Sequence, residues 1–255
     1  MKNIVLIGSG NVATHLGKAL YDAGSNIAQV WSRNIQNAKI LASSIDAQAT
    51  DSLKDINTNA DLYIISVKDD AIEDILKSPS LKGKTIIHTA GSVAMSVLAL
   101  CTENHGVFYP LQTFSKSKKV SFTDIPILIE ANNPTLEQEL VVLGKEISQK
   151  VSIASSEQRK YLHVAAVFAC NFTNYFYEIA QDLLEQNNLD FELIRPLILE
   201  TAEKAQTNQP KSVQTGPAVR KDTKVINSHL ELLSSNPEIQ KLYKELSERI
   251  VNSEE

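Results

Sequence analysis

Ile4-Val5-Leu6-Ile7 is a short apolar run, rich in β-branched residues and stopped by Gly8. Such a run is the pattern of a strand buried on both faces. From Asn11 to Ala23, apolar residues recur at Val12, Leu16, Ala19, Leu20 and Ala23. That is a helical period, and Gly24 is placed to cap its end. Strand and helix then alternate. Strands are predicted over Ile27–Trp31, Asp61–Val67 and Thr85–His88, with helices over Ile35–Ser43 and Asp70–Leu76. Further strands follow at Val107–Phe114, Ile125–Glu130 and Val151–Ala154, with a helix over Pro134–Ser148. This alternation implies βαβ units and a largely parallel sheet.

After about Ser155 the texture changes. Glu157–Gln186 reads as one long helix without Gly or Pro, followed by helices over Phe191–Ala205, Asp222–Leu233 and Pro237–Val251. Ser235-Asn236 before Pro237 has the form of an N-cap with proline in the first turn. The irregular stretch between Gln206 and Arg220 is rich in Thr, Pro and Gln. The fold class is therefore α/β, a Rossmann-type domain over 1–154 and an all-helical domain over 155–255. Composition narrows the classes of function. The net charge of −5 over 255 residues lacks the basic footprint of a nucleic-acid binder. No apolar run approaches a membrane span, and the run Ile4–Ile7 is too short for a signal peptide, so a cytoplasmic location is expected. Cys101 and Cys170 both sit in apolar stretches and read as small buried hydrophobes. No His, Cys and carboxylate arrangement has metal-ligand spacing.

Gly8-Ser9-Gly10-Asn11-Val12-Ala13 has the form G-x-G-x-x-A between strand and helix. The first glycine permits the tight turn, the second lets backbone approach a pyrophosphate, and Ala13 lets the helix pack on the strand. The end of the second strand reads Trp31-Ser32-Arg33-Asn34, with no acid to hold the ribose hydroxyls of NAD. Arg33 can stack on adenine and grip a 2′-phosphate while Ser32 donates, so NADP is the expected cofactor. Ser66-Val67-Lys68-Asp69-Asp70 and His88-Thr89-Ala90-Gly91-Ser92 fall at carboxyl ends of parallel strands, where ligands of open α/β sheets bind. Thr89, Ser92 and the Ala90-Gly91 backbone would line the nicotinamide, and His88 is either a proton donor or a packed strand-end residue.

In the long helix, His163, Asn171 and Asn174 are spaced by eight and three residues, which puts them on roughly one face. The nearly continuous apolar run Val164–Cys170 suggests burial on several sides. A buried polar stripe needs partners. It is either a substrate pocket, with His163 as acid or base and Asn171 orienting a carbonyl or amine, or an interhelical or dimer contact. Gln214-Thr215-Gly216-Pro217-Ala218-Val219-Arg220-Lys221-Asp222 opens a helix and brings Arg220 as an anion donor, a candidate substrate clamp or simply a well-defined turn.

Over nearly its whole length the chain resembles a bacterial family of Rossmann-type NADP oxidoreductases with a helical C-terminal domain of unknown function. The segments that carry the resemblance are the glycine turn, Trp31-Ser32-Arg33, His88–Ser92, Tyr109–Phe114, Asn171–Asn174 and Gln214–Asp222. More distantly it is similar to pyrroline-5-carboxylate reductase and to the 6-phosphogluconate and β-hydroxyacid dehydrogenases. The resemblance implies a 6-phosphogluconate-dehydrogenase-like helical domain, NADP-dependent hydride transfer on a small-molecule substrate, and a homodimer through the helical domain. It also puts Tyr109-Pro110-Leu111 beside the nicotinamide; Tyr109, Gln112, Asn174 and Arg220 are the expected substrate contacts. The chain departs from the β-hydroxyacid dehydrogenases at the lysine they carry four residues before an Asn. Val167 stands before Asn171 and Cys170 before Asn174, and Lys160 is too far along the helix. The proton partner is then expected to be His163, with His88 second. The rival expectations are an NADP-binding sensor or dimeric interaction protein without catalysis and, more weakly, a Rossmann-type methyltransferase.

Overall fold

The computed structural model describes Lys2 to Ser253. Strands β1 (Asn3–Ile7), β2 (Asn26–Trp31), β3 (Gln48–Thr50), β4 (Leu62–Ile65), β5 (Ile86–His88), β6 (His105–Pro110), β7 (Ile127–Ala131) and β8 (Val151–Ile153) form one sheet. Its order is β3-β2-β1-β4-β5-β6-β7-β8, parallel throughout except where β6 meets β7. Helices α1 (Asn11–Asp22), α2 (Ile35–Ser43), α3 (Ile72–Leu76) and α4 (Pro134–Ile147) provide the crossovers.

Both faces of the sheet are covered, as the unbroken apolar strands require. Along β1 the side chains alternate. Ile4 and Leu6 pack with Leu16, Leu20 and Leu41 of α1 and α2, while Val5 and Ile7 pack with Trp31, Ile72 and Ile75 on the other face. Ala13, fully buried, lets α1 lie against the strands. The strand β3 has no counterpart in the hydrophobic pattern. Its three residues at the sheet edge are too few, and too polar, to show a period of two.

Two features put a crevice at one edge of this sheet. Chain order reverses at β1, which pairs with β2 on one side and β4 on the other. The strand ends are also level, since Ile7 pairs with both Trp31 and Ile65, and Ile65 with His88. Gly8, Ser32, Ser66 and Thr89 therefore emerge side by side. In open α/β sheets this is where ligands sit.

After β8 only helices follow: α5 (Ser156–Ala166), α6 (Thr173–Glu185), α7 (Arg195–Thr207), α8 (Thr223–Leu232) and α9 (Pro237–Asn252). The expected single helix over Glu157–Gln186 is corrected here, because a π-helical segment, Val167–Phe172, separates α5 from α6. Such segments occur at functional sites more often than elsewhere. The helix expected over Phe191–Ala205 instead opens with a 3₁₀ turn at Phe191–Leu193, and α7 begins at Arg195 with Pro196 in its first turn. Contacts divide the chain into two compact units, one running to Tyr175 and one from Phe176 onward. Within the second unit, α8 packs on α9, His229 Nδ1 meets the Tyr243 hydroxyl at 2.7 Å, and Asp222 caps α8 as its sequence suggests. No helix among the described residues is long and apolar enough to cross a membrane.

Candidate functional site

The turn after β1 is built to hold backbone close to a ligand. Gly8 has φ +133°, and a β-carbon there would overlap the Ser66 carbonyl, so only glycine fits. Gly10 caps α1 with ordinary φ (−73°) and no side-chain capping bond, and nothing lies within 4 Å of where its β-carbon would stand. The first N–H groups of α1 are thus left to an outside acceptor, in open space, at the positive end of the helix dipole. Around them, Ser9 donates to Ser32 across 2.8 Å, and Thr89 Oγ1 to Ser66 Oγ across 3.0 Å, both pairs buried. Arg33 is exposed between β2 and the Asn34 cap of α2, with no ion pair among the described residues. Val12, Val67 and Ala90 lie partly or wholly buried along the same edge, with Lys68 exposed. A pyrophosphate fits the helix end, and a 2′-phosphate fits Ser32 and Arg33.

A second cluster forms where β5 and β6 end. The Tyr109 hydroxyl and His163 Nδ1 are 3.1 Å apart. Both lie against Gly91, where a β-carbon would come within 2.7 Å of Nδ1 and 2.8 Å of the hydroxyl oxygen. The Ser92 hydroxyl donates a short hydrogen bond to Asp69. Behind the pair stands Arg159, with no solvent exposure at all. It donates to the carbonyls of Ala90 (3.2 Å) and Val93 (2.5 Å), to Ser156 Oγ (3.2 Å) and to Glu130 (2.5 Å). One side chain thus ties the strand-end loop to α5 and β7. Burial raises the Tyr109 hydroxyl above the usual phenol range, with Arg159 opposing this and Asp69 adding to it.

His88 is not a candidate donor to a ligand: it is fully buried. Its Nδ1 accepts from the Ala90 N–H at 3.2 Å, and Nε2 has no partner. Burial, with the Arg159 charge adding to it, pushes its pKa down to about 4. Packing, the second alternative open to a strand-end histidine, describes it.

The polar stripe is also redrawn. The π segment interrupts the α-helical phase on which His163, Asn171 and Asn174 would share a face, and both asparagines are exposed. The apolar run around them is exposed too, with Val164 at 53% and Phe168 at 64%. Cys170 is exposed and Cys101 half-buried, which corrects their assignment to the core. Gln112 is exposed and turns its Oε1 to the N–H and hydroxyl of Thr113. Asn11 donates to the Phe114 carbonyl (2.9 Å) and His15 Nε2 to that of Ser115 (2.9 Å), so the segment after β6 is fastened to α1. In the second unit, Gly216 (φ +114°) and Lys221 (φ +54°) bend the Thr215–Asp222 segment, and Arg220 is exposed. Arg159 and Glu130 were missed by sequence reasoning. Arg159 sits in the polar run Ser155–Lys160, which looks like a solvated helix face.

A family model described as NADP oxidoreductase, coenzyme F420-dependent, matches residues 3–92, and a domain of unknown function, DUF2520, matches residues 125–250. No curated protein matches the chain. Among solved structures, a candidate NADP oxidoreductase from Bacteroides fragilis is 46% identical, with 98% of each chain covered and a TM-score of 0.93. An imine reductase from Myxococcus stipitatus in complex with NADP⁺ is 15% identical (98% of this chain, 92% of that chain, TM-score 0.70). A pyrroline-5-carboxylate reductase from Coxiella burnetii is 17% identical (99% and 97%, TM-score 0.59). These last two share the fold. Through its identity with the Bacteroides fragilis protein and both matched domains, the chain belongs to the family of NADP oxidoreductases that join a Rossmann-type domain to this helical domain.

Proposed function

We propose that the protein is a cytoplasmic, homodimeric reductase or dehydrogenase that moves hydride between NADP(H) and a C=N or C=O bond of a small metabolite. The observation that carries this reading is the pairing of an open helix N-terminus at Gly10–Val12 with an exposed Arg33 at the end of β2. That pair suits a dinucleotide bearing a 2′-phosphate. A bound nicotinamide would supply the hydride. The chain's residues do the rest. Residues 1–154 hold the nucleotide, through Gly8, Ser9, Gly10, Asn11, Val12, Ser32, Arg33, Ser66, Val67, Lys68, Thr89 and Ala90. Residues 155–255 contact substrate and the second subunit. His163 exchanges the proton, while Asn171, Asn174 and Gln112 orient the substrate, and His88 has a packing role.

The dimer is supported by Tyr161, Val164, Phe168, Phe172 and Tyr175, each 45% or more exposed along α5, the π segment and the start of α6. Soluble monomers rarely leave so long an apolar stripe to water.

Calorimetric titration with NADPH and NADH, beside Arg33→Ala, tests the cofactor. NADPH should bind more tightly, and the variant should lose roughly 10- to 100-fold in NADPH affinity, the worth of a charge-assisted phosphate contact. Equal affinity for both nucleotides would refute the role of Arg33. Tight NADPH binding with no NADPH oxidation across a panel of imines and carbonyls would favour a sensor.

A further inference from the structure

The Tyr109–His163 contact also decides where the histidine keeps its proton. Nδ1 lies 3.1 Å from the phenol oxygen. Nε2 has no hydrogen bond among the described residues, and it is not one of the buried atoms left without a partner, so it is open to solvent. A neutral imidazole donates from one nitrogen and accepts at the other, whereas a phenol can do both. If the ring donated to the phenol, the hydroxyl hydrogen would have no acceptor, because Tyr109 makes no other hydrogen bond among the described residues. If the phenol donates, Nδ1 is satisfied, and the phenol oxygen is the one group short of a partner. An under-used oxygen lone pair is more easily tolerated than an orphaned hydrogen. Burial of Tyr109 favours the neutral phenol, which keeps that hydrogen in place.

Gly91 is independent support. A β-carbon at this position would fall within 2.8 Å of both partners at once, so the absence of a side chain leaves room for the pair. The pair is also braced from behind, because Arg159 holds the carbonyl of Ala90, the residue before Gly91.

Resting on the reading that His163 faces the substrate, we propose that Tyr109 is a positioning residue that fixes His163 as its Nε2–H tautomer and resupplies the proton His163 gives up. Reduction of a C=N or C=O bond leaves an electron pair on the heteroatom. That atom takes the Nε2 proton, and the Tyr109 O–H bond breaks as its proton passes to Nδ1. His163 ends as the opposite tautomer and Tyr109 as a phenolate; water then gives a proton to Nε2, leaving as hydroxide, while the Nδ1 proton returns to the phenolate, so both groups regain their resting form. The imidazole stays neutral throughout and is never required to become an anion.

The test needs neither nucleotide nor substrate, so it stands or falls apart from the cofactor reading. The full chain is labelled with ¹⁵N in its five histidines. Long-range ¹H–¹⁵N spectra are recorded at about pH 8, where an ordinary imidazole is neutral. His163→Gln assigns the signals by their loss. The expected result is a fixed tautomer, with Nε2 protonated, Nδ1 bare and the two nitrogen shifts far apart. Tyr109→Phe should draw the shifts together as both tautomers become populated, and Gly91→Ala should do the same with Tyr109 present. A wild-type ring protonated at Nδ1 would overturn the proposal. So would nitrogen shifts that do not move in the folded Tyr109→Phe variant.

Discussion

Replacing Arg159 by methionine keeps the length of the side chain and removes its charge. In the native protein the guanidinium is wholly buried and donates to Glu130, to two backbone carbonyls and to Ser156. Glu130 is itself only 17% exposed. Removing one partner of such a pair leaves the other charge uncompensated, which costs about 3–5 kcal/mol. The carbonyls of Ala90 and Val93 lose a charged donor at the same time, so the upper half of that range is the better expectation. At roughly 2–4 °C per kcal/mol for a chain of this size, Arg159→Met should melt about 8–20 °C below wild type by calorimetry. The companion variant separates the ion pair from simple packing. Arg159→Met with Glu130→Leu removes both charges and should recover most of the loss, because an apolar pair of similar volume is often as stable as the buried ions. A fall of less than about 3 °C in the single variant, under 1–2 kcal/mol, would refute the claim that Arg159 anchors the strand-end loop. A double variant no more stable than the single would refute the electrostatic part of the argument.

Three further outcomes are expected. His88 has a folded pKa of about 4 against an ordinary 6.5, so between these values the unfolded chain binds more protons than the native one. Its contribution, about 3 kcal/mol, is complete above pH 6.5 and is lost as the pH falls towards 4. Denaturant midpoints at pH 7.5 and 4.5 should therefore differ less in His88→Gln than in wild type, and equal differences would refute the assignment. Gly10→Ala should melt within about 1 °C of wild type, since its β-carbon meets nothing. It should still lose NADPH binding in calorimetry, because the methyl group occupies the phosphate's approach; unchanged affinity would place the pyrophosphate elsewhere. Phe168→Asp puts a charge in the exposed apolar stripe and should shift the protein from dimer to monomer in sedimentation velocity. A wild-type monomer, or a dimer unaffected by the change, would count against an interface on this helix.

Much of the fold is legible because the physics that sets it is local. Ile4-Val5-Leu6-Ile7 alternates side chains between two covered faces, and only a sheet with helices on both sides can bury such a run. Asp222 and Asn236 announce the starts of α8 and α9, and each accepts at its side chain from the N–H of the third helical residue. The nucleotide cradle is legible for a similar reason, since Gly8 must be small for a backbone reason and Gly10 leaves the start of α1 open to a ligand. The π segment is different. Val164 to Cys170 is almost uniformly apolar, so the sequence has no phase from which a slip of one residue could be detected. The same uniformity made the run look buried. Apolar content says that a surface seeks cover, but not whether this chain or another supplies it.

The Tyr109–His163 corner is only half visible, and the half that is missed follows a rule. Tyr109 and His163 are residue types that advertise chemistry, whereas the groups that hold them do not. Arg159 lies among Ser156, Glu157, Gln158 and Lys160, where a charge is ordinarily solvated. Its burial depends on Glu130, 29 residues earlier, and on two carbonyls more than 60 residues earlier. Nothing local encodes a partner at that distance. Gly91 is silent in the same way. It has an ordinary backbone and caps no helix, and its meaning lies in a β-carbon that would strike two side chains from other elements. Reactive groups can be nominated from sequence by type and by their place at a strand end. Their orientation is set by buried charge and by missing volume, which only long-range contacts define. In this protein those contacts converge on one loop, His88–Val93, and the loop is where substitutions should separate stability from chemistry. Arg159→Met acts on the first, and Gly91→Ala, which leaves the ion pair intact, acts on the second.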